Sequence, residues 1–281
     1  MTSRLLMPFR TAGAGPAPDA ETAGSTRPTS ILDLAHPRVA ALVTRVRREA
    51  DERGATTDRG LLRTAHGIIA ATVRPVYSVE DLRRVSRTLR LGRGSCSQRM
   101  AVLEAVARSL GVPTRVRGLL VDGAFWYPRF PKLRPFVPEE VLLAWPEFLL
   151  DDTWVPVAEL FGRGEEAGPA PAGVFTNAGE ETGPAPAGAF TNAGAETLFE
   201  AVARTTVDWD APAACAGSAP CDLSAHLRTD LGRFTSRDEL FARHGQTLCL
   251  PARTLAEPLL GRWSAGAGAG ADTSTTSSSA A

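Results

Sequence analysis

Residues 92–115 read GRGSCSQRMAVLEAVARSLGVPTR, and the fold is read outward from them. Glycines at 92 and 94 make a turn that leads through Ser95 into a helix expected to run from Cys96 to Leu110. Met100, Leu103, Val106, Ala107 and Leu110 recur at helical spacing and form its buried stripe. Gly111 stands where a helix ends, and Pro113 prevents continuation. A cysteine in a first helical turn meets unpaired backbone N–H groups and the positive end of the helix dipole, which favour thiolate. The same N–H groups suit the oxyanion of a tetrahedral intermediate.

Downstream, Val112–Asp122 reads as a strand, Glu140–Leu150 as a second and Trp154–Leu160 as a third. Asp151 and Asp152 supply the turn between the last two. Pro146 predicts a sheet edge or bulge, because it has no ladder donor. Upstream, Val39, Leu42, Val43 and Val46 predict a helix over Pro37–Glu52. A second is expected from Asp58 to Val73, capped by Thr57 or Asp58, and a third from Ser78 to Leu89.

Beyond Gly162 the composition shifts. EEAGPAPAGVFTNAG at 165–179 is nearly repeated by EETGPAPAGAFTNAG at 180–194, a Gly/Ala/Pro-rich duplication inside a loop. Helices are expected again over Glu196–Arg204 and Ser236–His244, the latter with a capping box to Glu239. The chain therefore divides into a disordered leader (1–30), a core (31–162), the duplicated loop (163–195), a C-terminal helical extension (196–263) and a disordered tail (264–281).

Lysine plus arginine and aspartate plus glutamate number 31 each, which removes the simple case for a nucleic-acid or anionic-membrane partner. Lys132 is the only lysine, and this arginine bias with abundant Ala, Gly and Pro suggests a GC-rich bacterial source. No apolar run spans a bilayer or serves as a signal peptide, so a reduced cytoplasmic protein is expected. Four cysteines over 281 residues do not make a disulfide scaffold. Cys215 and Cys221 are spaced too widely for a zinc pair, so neither metal nor cofactor is called for.

The blocks around Cys96 resemble the bacterial transglutaminase-like superfamily. Gly94-Ser95-Cys96 matches its G-x-C, and residues 107–115, ARSLGVPTR, match its A-R-x-L-G-I-P-A-R. Residues 143–147, LAWPE, stand at its H-A-W-x-E, and 154–158, WVPVA, at its W-x-x-x-D. The resemblance covers roughly residues 39–160. It implies an α+β fold with a papain-like core, an antiparallel sheet packed on the nucleophile helix, and Cys96 as nucleophile. It also marks two departures. Leu143 occupies the place of the family's histidine base, and Ala158 that of its orienting aspartate. Leucine accepts no proton and alanine orients nothing.

Substitute bases are sought in His66, His226 and His244, since His36 before a proline reads as a surface residue. Glu147 shares the strand face of Leu143 by the period of two, but as the family's own glutamate it reads as structural. The aromatic run 125–130, FWYPRF, is expected near the cleft mouth. There Trp126, Tyr127 and Arg129, with Trp145, are candidates for ligand binding. Two functional readings follow. One is a pseudoenzyme whose cleft binds a peptide or small molecule. The other is a cysteine acyl transferase or amidase/peptidase using Cys96 with a non-standard base on a peptide or small-molecule acyl substrate. A redox or covalent-carrier role for Cys96 is a third route.

Overall fold

The computed structural model describes residues 22–162, 190–212 and 222–260. Most of the duplicated stretch, Cys215, Cys221 and the tail from Ser264 lie outside the described residues.

Two helices open the chain, α1 (Pro37–Glu52) and α2 (Asp58–Thr72). The first buries Val39, Leu42, Val43, Val46 and Ala50, so the stripe read from sequence is the face that packs. Thr57 caps the second through the Gly60 N–H, and the extended Val73 ends it. A two-residue strand β1 (Arg74–Pro75) then pairs in parallel with β2 (Arg93–Gly94), and between them lies α3 (Val85–Leu91). The helix expected to begin at Ser78 thus begins later. The reason is tertiary: the Val79 N–H donates to Glu257 and the Asp81 N–H to Gln246, which hold residues 78–84 out of a helix, with a single turn at Asp81–Leu82.

The central helix α4 (Cys96–Leu110) has the predicted bounds and ends at Gly111, whose φ of 94° is left-handed. It leads into β3 (Thr114–Asp122), β4 (Glu140–Leu150) and β5 (Thr153–Pro156). The third strand is shorter than expected, because Pro156 has no N–H to extend the ladder and a 3₁₀ turn, Val157–Glu159, follows. Asp151 and Asp152 take left-handed φ values of 50° and 59° in the two-residue turn. Four strands form one antiparallel sheet in the order β5-β4-β3-β6, its last member being β6 (Leu227–Phe234). Pro146 sits where the sequence required. The Leu149 N–H points to Pro113 on the β3 side, so position 146 faces the other side, which β5 leaves at the Glu147–Pro156 pair.

The chain closes with α5 (Leu198–Ala201), α6 (Arg237–His244) and α7 (Leu250–Leu260). Only the middle of the Glu196–Arg204 stretch, Leu198–Ala201, is α-helical, whereas α6 carries its predicted Ser236 cap on the Glu239 N–H. The buried faces of α1, α2 and α4 join the sheet in one apolar cluster that includes Leu103, Val106, Val116, Leu119, Trp145 and Phe148. Order begins before Ile31. Ser25 and Thr114 exchange backbone hydrogen bonds of 3.0 and 3.1 Å, and Thr29 donates to Asp238 at 2.6 Å. A Cβ on Gly24 would stand 2.1 Å from the Trp154 ring, so residues 22–30 form part of the packed body.

Candidate functional site

Cys96 is the first residue of α4 and is half-buried at the rim of the apolar cluster. Local chemistry fixes its turn twice. The Ser95 side chain accepts from the Gln98 N–H, and the Gln98 side chain accepts from the Ser95 N–H, a reciprocal capping box. Gly94 is needed for close approach, since a Cβ there would meet Thr88 at 2.9 Å and Gln98 at 3.2 Å. The short parallel ladder then brings a second segment alongside. Arg74 N–H donates to Gly92 O at 2.9 Å and Val76 N–H to Gly94 O at 3.1 Å. Carried two residues on from the Pro75–Gly94 pair, this register sets Tyr77 beside Cys96 at the start of α4.

Burial pushes the Tyr77 phenol above its ordinary value, and Cys96 lies close enough to add to that upward push. The charge of Arg129 and a hydrogen bond from it pull the other way. The net shift is upward, so at neutral pH the phenol is a donor rather than a base. Phe130 packs on Tyr77 with ring centroids 4.7 Å apart. The aromatic run 125–130 therefore reaches the Cys96 turn through Arg129 and Phe130.

Arg129 is tied on several sides. Its Nε donates to Asn192 at 2.8 Å, Nη2 donates to the Glu196 carbonyl, and Asn192 in turn donates to Phe125 O at 3.2 Å. This arginine fastens the aromatic loop to residues 190–196. Trp126 leans edge-on against Phe125, and Tyr127 lies under the Arg134 guanidinium at 5.4 Å. Trp145 is fully buried with Trp209 edge-on at 5.3 Å, inside the body of the protein. Among the described residues, neither indole N–H has a hydrogen-bond partner.

The histidines are distributed elsewhere. His66, on α2, is buried between Phe199, stacked at 4.3 Å, and Phe161, edge-on at 4.9 Å. Its Nε2–H donates to Phe199 O at 2.6 Å, and burial pushes its pKa down to about 4. His226 stands edge-on to Phe125, its pKa also lowered, chiefly by burial. His244 ends α6 edge-on to Phe234. His36 caps α1 by accepting from Arg38 N–H. Leu143 is half-buried on β4 opposite Leu119, and Ala158 is buried in the turn after β5. Glu147 is a structural anion, accepting from Arg115 at 2.5 Å and from Arg233 at 3.1 Å.

The family model of the transglutaminase-like superfamily matches residues 49–158. A transglutaminase-like domain is present there. It takes in the Cys96 turn, α4 and the β3–β5 hairpins, and its last residue is Ala158. No curated protein and no solved structure matches the chain.

Several residues of this site went unread in the sequence. Tyr77 lies just before the helix expected from Ser78, and only the β1–β2 ladder brings it to Cys96. Gln98 was legible in principle, since Ser95 followed three residues later by glutamine is a capping-box signature. Arg99 is fully enclosed one turn below, paired with Glu200 at 2.5 Å and lying over the Phe199 ring at 4.3 Å. A guanidinium at 0% exposure has no single-sequence signature, because its carboxylate lies a hundred residues away.

Proposed function

We propose that the transglutaminase-like domain is a degenerate member of its superfamily. In this reading its papain-like cleft binds a peptide or small molecule, and the triad chemistry of the family is not performed. The observation that carries this is the placement of the ionisable groups. Leu143 and Ala158 are apolar and packed where the resemblance calls for a base and its orienter. His66, the histidine inside the matched region, is held neutral by burial, with its donor on a backbone carbonyl. Tyr77 beside the thiol is a phenol above its ordinary pKa, suited to donating a hydrogen bond to a ligand carbonyl and unsuited to removing a thiol proton. The aromatic loop, anchored by Arg129, supplies the recognition wall, with Tyr127 and Phe130 as the apolar contacts. A reduced, cytoplasmic thiol protein of bacterial origin fits this reading.

The test is ligand protection of Cys96. A library of short peptides and amide-bearing small molecules is screened for slowing of Cys96 alkylation by iodoacetamide, with Cys96→Ser as the control. The binding reading predicts compounds that slow labelling severalfold and are recovered unchanged. Cleavage or acyl transfer of such a compound by the native chain and not by Cys96→Ser would establish the alternative, a cysteine acyl transferase or amidase.

A further inference from the structure

Beneath the Cys96 turn lies a polar network whose far end is on the last helix. Glu257 of α7 accepts from the Ser78 hydroxyl at 2.9 and 3.0 Å and from the Val79 N–H at 2.9 Å, and it pairs with Arg83. Gln98, the capping-box residue of α4, donates from one Nε2 to Ser78 Oγ and to Glu80 O, each at 2.8 Å. Its Oε1 accepts from Arg83 at 3.0 Å as well as from the Ser95 N–H. Arg83 also donates to Glu80 at 3.0 Å. Arg83 and Gln98 are 4% and 2% exposed, so these bonds form away from bulk solvent.

Tyr77 is the residue this network brackets. Val76 before it is bonded to Gly94, and Ser78 after it is bonded to both Gln98 and Glu257. We propose that Glu257 is a positioning residue for the Cys96 site, fastening the Ser78–Arg83 segment so that Tyr77 stays against the nucleophile turn. This rests on the Cys96 turn being the functional site, and holds whether that site binds or reacts.

The helix that delivers Glu257 is suited to a conditional role. Leu250 and Leu255 of α7 are 68% and 76% exposed, and Pro258 interrupts its ladder. Its attachment at this point is made of charge and hydrogen bonds, and elements poor in buried apolar contacts open more readily than a core. Displacing α7 therefore loosens the Tyr77 segment without dismantling the sheet.

The experiment compares native chain, Glu257→Ala, Glu257→Gln and Ser78→Ala without any ligand, so it fails independently of the screen above. Peptide-level mass spectrometry follows iodoacetamide labelling of Cys96 and, in parallel, amide hydrogen exchange. Glu257→Ala is expected to raise the Cys96 labelling rate at least threefold and to speed exchange over residues 76–83, with β3 and β4 unchanged. Glu257→Gln, which keeps the shape and loses the charge, should fall between Ala and native. Ser78→Ala, which cuts the same link from the other end, should reproduce the effect even if the Glu257 variants fold poorly. Native labelling and exchange in the variants would overturn the proposal. So would faster exchange that rises equally in β3 and β4, since that marks general loosening.

Discussion

The imidazole of His66 and the carboxyl of Asp81 are two buried titrations of opposite sign. His66 is lowered from 6.5 to about 4 by burial, so between those values the unfolded chain binds more protons than the folded one. Its contribution is fully present above pH 6.5 and is lost as pH falls through 4, about 3 kcal/mol in all. Asp81 keeps some solvent contact as a residue, yet desolvation of its carboxyl outweighs the Thr247 N–H bond and the charges of Arg237 and Arg253, with Glu257 adding to the upward push. Raised from 3.8 to about 6, it contributes most below pH 3.8 and loses that contribution as pH rises through 6. This opposing change is about 3 kcal/mol. The two largely cancel between pH 4 and 6.5 in the native chain. His66→Phe should therefore lose stability relative to native as pH rises from 4 to 6. Asp81→Asn, which keeps an acceptor for Thr247, should lose stability relative to native as pH falls over the same window. Urea midpoints at four pH values read both slopes, and variant curves parallel to native would contradict the assignment.

At the scale of elements, α6 is joined to α4 by a buried ion pair. Arg237 donates to Glu104 through Nε at 3.0 Å and through Nη2, and its Nη1 reaches the Ser97 carbonyl and hydroxyl at 3.2 Å. Both side chains are 1% exposed or less, and Glu104 Oε2 has no partner among the described residues. Such a pair gains little over an apolar substitute but is costly to break. Glu104→Ala should cost about 3–5 kcal/mol by stranding the guanidinium. The double change Glu104→Leu with Arg237→Met should recover most of it. A double-mutant cycle in urea checks this, and additive losses would show that the pair is not coupled.

The elements also show what the sequence could and could not say. For α1, α2, α4 and β4 an apolar period runs between clear stop signals, and the structure returns nearly the same bounds. For α3 the apparent cap at Ser78 is used by Glu257 and Gln98, partners that local pattern cannot reveal. The β6 strand was missed because it is an edge: residues 227–233 carry Arg, Thr, Asp and Gly, only Phe234 is buried, and a shift in register falls at the bulge near Gly232. Cys96 was legible from its turn. Tyr77 was not, because a two-residue parallel ladder leaves no hydrophobic period to read.

In the molecule as a whole, distant segments brace the central helix and sheet at separate points. Residues 22–30 clasp β3 through Ser25 and Thr114, residues 190–196 fasten the aromatic loop through Arg129, and α7 reaches the capping box through Glu257 and Ser78. The family-model match covers residues 49–158, so all three of these supports lie outside it. Among the described residues, no helix is long and apolar enough to cross a membrane.

The central claim is that Cys96 is not served by a histidine. The most direct measurement is the pH profile of Cys96 alkylation by iodoacetamide, resolved by peptide mass, in native chain and in His66→Gln, His226→Gln and His244→Gln, each checked for folding by circular dichroism. On this account the three variant profiles superimpose on the native one. A displacement of the midpoint by a full pH unit in any one variant would identify the missing base and contradict the account.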